Sequence, residues 1–109
     1  MGNFKKALQF YEDTLEVQQK SLLPGNPAFI VTYGKLAILL MEDLHDCQRA
    51  IEYAEKAFKL AEQIYPPKHP EIEKRRQYLE QLKSKRWFIF SKKTASVYNT
   101  NLMILFFII

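Results

Sequence analysis

The chain has 109 residues, 48% of them apolar, which is enough for one small domain with its own core. Its formal charge of +4 is uneven: residues 1–44 carry 4 basic and 5 acidic groups, residues 45–86 carry 10 and 7, and residues 87–109 carry 2 and 0. The lone cysteine, Cys47, excludes an intrachain disulfide and a cysteine-based zinc centre and suits a reducing, cytoplasmic setting. No apolar stretch of signal-peptide length follows Met1–Lys6, so secretion is not expected, and Lys6 stands where a myristoylation signal needs Ser or Thr.

Ala, Leu, Glu, Lys and Gln are abundant and no segment alternates apolar with polar over a strand's length, so the chain reads as all-α. An internal repeat organises it. Sliding the sequence by 43 residues matches Ala7 with Ala50, Glu12 with Glu55, Pro24 with Pro67, Pro27 with Pro70 and Leu36 with Leu79. Similar pairs lie between, including Lys6 with Arg49, Leu8 with Ile51, Phe10 with Tyr53, Val17 with Leu60 and Phe29 with Ile72.

A first helix is expected over about residues 3–22, with Phe4, Ala7, Leu8, Tyr11, Leu15 and Leu22 on one stripe. Pro24, Gly25, Asn26 and Pro27 break it, and Asn26 makes a good N-cap before Pro27 at the first helical position. A second helix, about 27–42, carries Ile30, Tyr33, Leu36, Ala37 and Leu40 with little polar cover, as a helix sandwiched between neighbours would. A third, about 47–64, presents Ala50, Ile51, Ala54, Ala57, Phe58 and Ala61, and the small residues Ala50, Ala54 and Ala57 let a facing helix approach closely. Pro66, Pro67 and Pro70 separate it from a fourth, about 70–86, whose apolar residues are few: Ile72, Tyr78, Leu79 and Leu82. That thin stripe fits a terminal helix with a polar outer face.

These residues resemble the tetratricopeptide repeat family, in particular the long form found in kinesin light chains. Gly2, Phe4, Ala7, Tyr11 and Leu15 resemble its second-helix motif, with Thr14 where Ala is usual; Tyr33, Leu36, Ala37 and Leu40 resemble its first-helix signature, continued by Ala50, Ala57 and Phe58. Pro24 with Asn26 and Pro27, and Pro67 with His69 and Pro70, are similar to its Pro-x-x-His-Pro linker. The resemblance covers residues 2–86 and implies an antiparallel helix-turn-helix solenoid fragment of about four helices, the C-terminal part of an array. The first helix of the opening repeat is missing, so an apolar face at Phe4, Ala7 and Tyr11 is expected to lie open. The turn Leu44–Cys47 has one residue more than the family pattern and lacks its glycine.

The resemblance further implies a protein-protein interaction scaffold, not an enzyme, with a concave groove for a peptide or a partner's helix. Groove positions carried over are Val31, Gly34, Lys35, Ile38 and Glu42 on the second helix and Lys74, Gln77, Gln81 and Lys85 on the fourth. For Val31 and Ile38 simple packing between repeats is an equal alternative. Gly34 and Lys35 replace the asparagine pair of kinesin light chains, which removes the basis for carrying over their cargo preference.

The basic run Lys74, Arg75, Arg76, Lys83, Lys85 and Arg86 reads as a solvated face, with Glu71 placed to pair with Arg75, or as a surface for an acidic partner. No motif points to nucleic acid. No cofactor, metal site or catalytic set is expected: His45 and Cys47 do not face each other on a helix, His45 and His69 lack ligand spacing, and His69 suits a helix start. Residues 87–109 form an apolar tail set apart from the repeats. Its last eight residues, Leu102–Ile109, are too few to span a bilayer. Translated non-coding sequence, a truncated membrane anchor and a docking segment all fit its composition. A basic membrane-associated protein using residues 74–109 and a non-functional fragment of a longer repeat protein are the alternatives to the scaffold.

Overall fold

The computed structural model describes the backbone of residues 3–97 and the side chains of residues 3–86. Four helices follow one another: α1 (Phe4–Ser21), α2 (Ala28–Glu42), α3 (Cys47–Ile64) and α4 (Pro70–Val97). Each packs against the next in sequence, giving an all-α helical repeat.

The 43-residue repeat reaches the level of individual hydrogen bonds. Asn26 Oδ1 accepts from the Ala28 amide at 2.9 Å, and the corresponding His69 Nδ1 accepts from the Glu71 amide at 3.1 Å. The amides of Asn26 and His69 donate to Leu23 and Pro66, and those of Phe29 and Ile72 donate to Asn26 and His69. Asn26 and His69 thus do the same work at the starts of α2 and α4, satisfying amides that the first helical turn leaves free. Pro27 has helical dihedrals, φ −58° and ψ −21°, and its ring fixes that entry.

The turn before α3 solves a different problem. Asp46 caps the helix by accepting from the Arg49 amide at 3.2 Å. His45 takes the left-handed conformation, φ 55°, where the family pattern has glycine. Histidine tolerates this region better than most residues, so the turn closes without a glycine at modest cost.

The core spans the four helices in two clusters. Leu15, Phe29, Ile30, Leu36, Ala57, Leu60, Ala61 and Ile72 form one cluster. Ala37, Leu40, Met41, Ala50, Ile51, Ala54, Leu79 and Leu82 form a second. The expected sandwiching of α2 is visible in nine buried residues out of fifteen. Each of its fully buried leucines, Leu36 and Leu40, contributes about 1.5–3 kcal/mol by burial. The buried hydroxyl of Thr32 donates to Gln18 Oε1 of α1 at 2.7 Å.

One boundary differs from expectation. α4 runs to Val97, past the end expected near Arg86. That end rested on a change of composition, and a change of composition does not stop a helix: no glycine or proline follows Pro70. The apolar segment Leu102–Ile109 lies outside the described residues, as does Gly2.

Candidate functional site

On α2, Val31, Lys35, Ile38 and Glu42 recur at spacings of four, three and four, which places them on one stripe. All four are exposed, Val31 by 54% and Ile38 by 47%, so neither apolar member is covered by another of the described helices. Lys74, Gln77, Gln81 and Lys85 make a matching exposed stripe on α4. Gln77, Gln81 and Lys85 also line an open depression of about 440 Å³ together with Glu80 and Ser84.

Two contacts tie the stripes together. Lys85 Nζ donates to Glu42 Oε1 at 3.1 Å, joining α4 to α2 at one end of the face. Both side chains are about half exposed, so this pair adds at most about 1 kcal/mol and serves mainly to show that the two stripes adjoin. Near the middle, Gly34 is buried rather than available to a ligand. The Arg75 guanidinium covers it, and a Cβ at position 34 would stand 2.5 Å from Arg75 Nη1.

Arg75 is the residue that sequence reasoning left out of this face. Its expected pairing with Glu71 is present, Nε donating to Oε1 at 2.9 Å, with the two side chains only 15% and 25% exposed. Because Nε is engaged, Nη1 and Nη2 are directed over Gly34, and no acceptor among the described residues takes them. A glycine in the interior of a helix was the available signal: it leaves room for a long side chain from the adjoining helix.

The remaining basic groups are engaged elsewhere. Arg76 pairs with Glu73 and lies over the Phe58 ring at 5.5 Å, Lys83 approaches Glu55 at 3.8 Å, and Arg86 donates to Gln48 at 3.5 Å. The basic run therefore braces α4 against α3 and α2, while Lys74 and Lys35 have no acidic partner among the described residues.

A second cluster lies between α2 and α3. Tyr33 stacks on Tyr53 with centroids 6.0 Å apart and on Phe29 at 6.1 Å, and Lys56 Nζ sits 5.9 and 5.4 Å from the two tyrosine centroids. Burial, then the neighbouring Tyr53, raises the Tyr33 phenol above its ordinary value. Arg49 donates to Glu12 Oε1 at 2.9 Å, and that bond holds the guanidinium more firmly charged. The Cys47 thiol lies 3.3 Å from the Met41 sulfur, and His45 is exposed in its turn. Among the described residues no three His, Cys, Asp or Glu side chains gather where they could hold a metal ion, and no helix is long and apolar enough to cross a membrane.

No curated protein and no solved structure matches the chain. The sequence model described as tetratricopeptide repeat matches residues 1–71, from before α1 to the start of α4. Domains of that family generally mediate protein-protein interaction and are typically scaffolds without enzymatic activity. With more than half of its length matched and its helices repeating down to their capping bonds, the chain belongs to the tetratricopeptide repeat family.

Proposed function

We propose that the chain is a non-enzymatic, cytoplasmic interaction scaffold that binds an extended peptide or a partner's helix across the face made by α2 and α4. The carrying observation is the pair Val31 and Ile38: two apolar side chains, about half exposed, on a stripe bound to α4 at Glu42–Lys85 and floored by Arg75 on Gly34. Isolated exposed apolar residues are commonplace, but here they lie on a face that members of this family use for ligands. Lys35, Arg75 and Lys74 bring positive charge to the same face, which favours an acidic peptide. The 43-residue spacing and the Pro67, His69 and Pro70 linker support the long, kinesin-light-chain-like form, and the polar outer side of α4 supports a place at the closing end of an array.

A panel of fluorescent peptides sharing one apolar anchor and differing in net charge tests this by anisotropy. The acidic member should bind best, and Val31→Asp and Lys35→Glu should each weaken it about 10-fold, one strong contact's worth. Raising salt should weaken binding further. Equal binding by the native chain and both variants would remove α2 from the site.

A further inference from the structure

We propose that the ground between α2 and α4 around Gly34 is a site for a phosphoryl group carried on a partner peptide, held by the Arg75 guanidinium and the ammoniums of Lys35 and Lys74. The inference rests on the peptide-binding reading of this face and adds the group that the partner must carry.

The repeat fixes the placement. Gly34 meets Arg75 and Glu42 meets Lys85, two contacts between residues separated by almost the same interval, so α2 and α4 run side by side in one direction and nearly in register. Under the 43-residue shift Lys74 corresponds to Val31, one turn of α2 before Lys35. Arg75 follows Lys74 and its guanidinium lies over Gly34, the residue before Lys35. Three cationic side chains thus enter from two helices within about 6 Å along the face. The nearby acids are engaged: Glu71 holds Arg75 Nε, and Glu42, two turns beyond Lys35, lies against Lys85.

Arg75 is prepared for an anion that the chain itself does not supply. Its side chain is only 15% exposed, Nε is fixed, and Nη1 and Nη2 have no acceptor among the described residues. Those two nitrogens are nevertheless open, because among the described residues only the Tyr78 hydroxyl is a side-chain polar atom both buried and without a partner. A guanidinium that has lost most of its water and keeps a free fork gains more from an anion than a fully solvated cation does.

The count of charges decides which anion. A carboxylate has one charge and two coplanar oxygens, so the Arg75 fork alone satisfies it and both ammoniums are left over. A phosphate monoester carries about −1.5 to −2 at neutral pH and has three acceptor oxygens, one for each cation that approaches. Lys35 and Lys74 are exposed on flexible stems that can close on it from opposite helices. Val31 and Ile38, one turn to either side of Lys35 and each about half exposed, offer apolar contacts to the residues that flank the phosphorylated one. A free phosphate could not use them, which is why the source is a peptide.

Three fluorescent peptides with identical apolar flanks and phosphoserine, glutamate or serine at the centre test this by anisotropy on the full chain. The phosphoserine peptide should bind about 10-fold more tightly than the glutamate peptide, and serine least. Lys35→Gln and Lys74→Gln should each weaken phosphoserine binding about 5-fold and glutamate binding much less. Arg75→Lys, which keeps the charge and loses the fork, should weaken both. Inorganic phosphate should displace the phosphoserine peptide where acetate at equal ionic strength does not. Equal affinity for phosphoserine and glutamate, or equal losses for both in the lysine variants, overturns the phosphoryl site and leaves the acidic-peptide reading standing. Failure to tell serine from the two charged peptides overturns both. Ile38→Ala should weaken the phosphoserine peptide a few-fold; an unchanged affinity would mean that phosphate alone is held and would overturn a peptide as its source.

Discussion

α1 and α4 stand at the two ends of the stack, and each packs against one neighbour in sequence where α2 and α3 have two. They treat the open side in opposite ways. α1 keeps apolar groups at the positions α3 uses inward, exposing Phe10 and Val17, and has Leu15 as its one buried residue. α4 buries Ile72, Leu79 and Leu82 on its inner side and places Glu80, Lys83 and Ser84 where α2 has Ala37, Leu40 and Met41. Both are good helices, so helix propensity does not distinguish the ends. What differs is whether the outward positions gain more from water or from another helix, and only α4 is built for water.

The largest expected effect compares equivalent positions in α3 and α1. Leu60→Ala should cost about 2–5 kcal/mol, because Leu60 is 8% exposed among Phe29, Ile30 and Leu36 and its removal leaves a cavity. Val17→Ala, one repeat earlier, should fall within about 0.5 kcal/mol of neutral, as exposed substitutions do. Paired urea titrations measure both. Similar costs would mean that α1's outer face is already covered.

The reciprocal experiment gives α4 the inward residues of α2. With Glu80→Ala, Lys83→Leu and Ser84→Met together, α4 should become a helix that α1 of another copy can accept. Such contacts are head-to-tail and do not close on themselves. Sedimentation should therefore show mass rising with concentration, and Phe10→Glu should return the variant to a monomer. A variant that stays monomeric would show that its polar side chains are not what keeps α4 free.

The four helices were legible because their punctuation is local. Prolines, Asn26, Asp46 and His69 sit at helix starts, and the bounds expected for α3 are those observed. The end of α4 was not legible, since no residue type marks it. The face of α2 and α4 was legible as two separate stripes. Its floor was hidden, because Arg75 reaches Gly34 and Lys85 reaches Glu42 across helices far apart in sequence. Periodicity orders residues along one helix and says nothing of which side chain of another helix fills a gap.

Gly34 offers a smaller test of that floor. Replacing a helical glycine by alanine gains about 1 kcal/mol of helix propensity. The new Cβ would crowd Arg75 Nη1, the far end of a flexible side chain that can swing away. Gly34→Ala should therefore come out between neutral and about 1 kcal/mol stabilising, and nearer the upper value in an Arg75→Ala background, where nothing is displaced. Peptide binding should respond in the opposite sense, since the swung guanidinium no longer covers the middle of the face. A loss of stability beyond 1 kcal/mol would mean that Arg75 is held too firmly to move.

The smallest effect concerns pH and rests on two partly buried phenols, one on α2 and one on α4. Tyr33, in contact with α3, and Tyr78, on the inner side of α4, both have phenols raised above the ordinary value: burial is the main cause, with Tyr53 adding for Tyr33 and Glu42 for Tyr78. The folded chain thus holds two phenolic protons more tightly than the unfolded chain. Their stabilisation is complete below the unfolded value of about 10 and declines as pH rises through the folded values, where both states are ionised. The Tyr78 hydroxyl has no hydrogen-bond partner among the described residues, so Tyr78→Phe removes a buried polar atom without orphaning another. That variant should be at least as stable as the native chain at neutral pH and should lose less stability between about pH 9 and 11. Melting points across that range measure it; a steeper alkaline decline in Tyr78→Phe than in the native chain would show that Tyr78 is not among the groups that cause it.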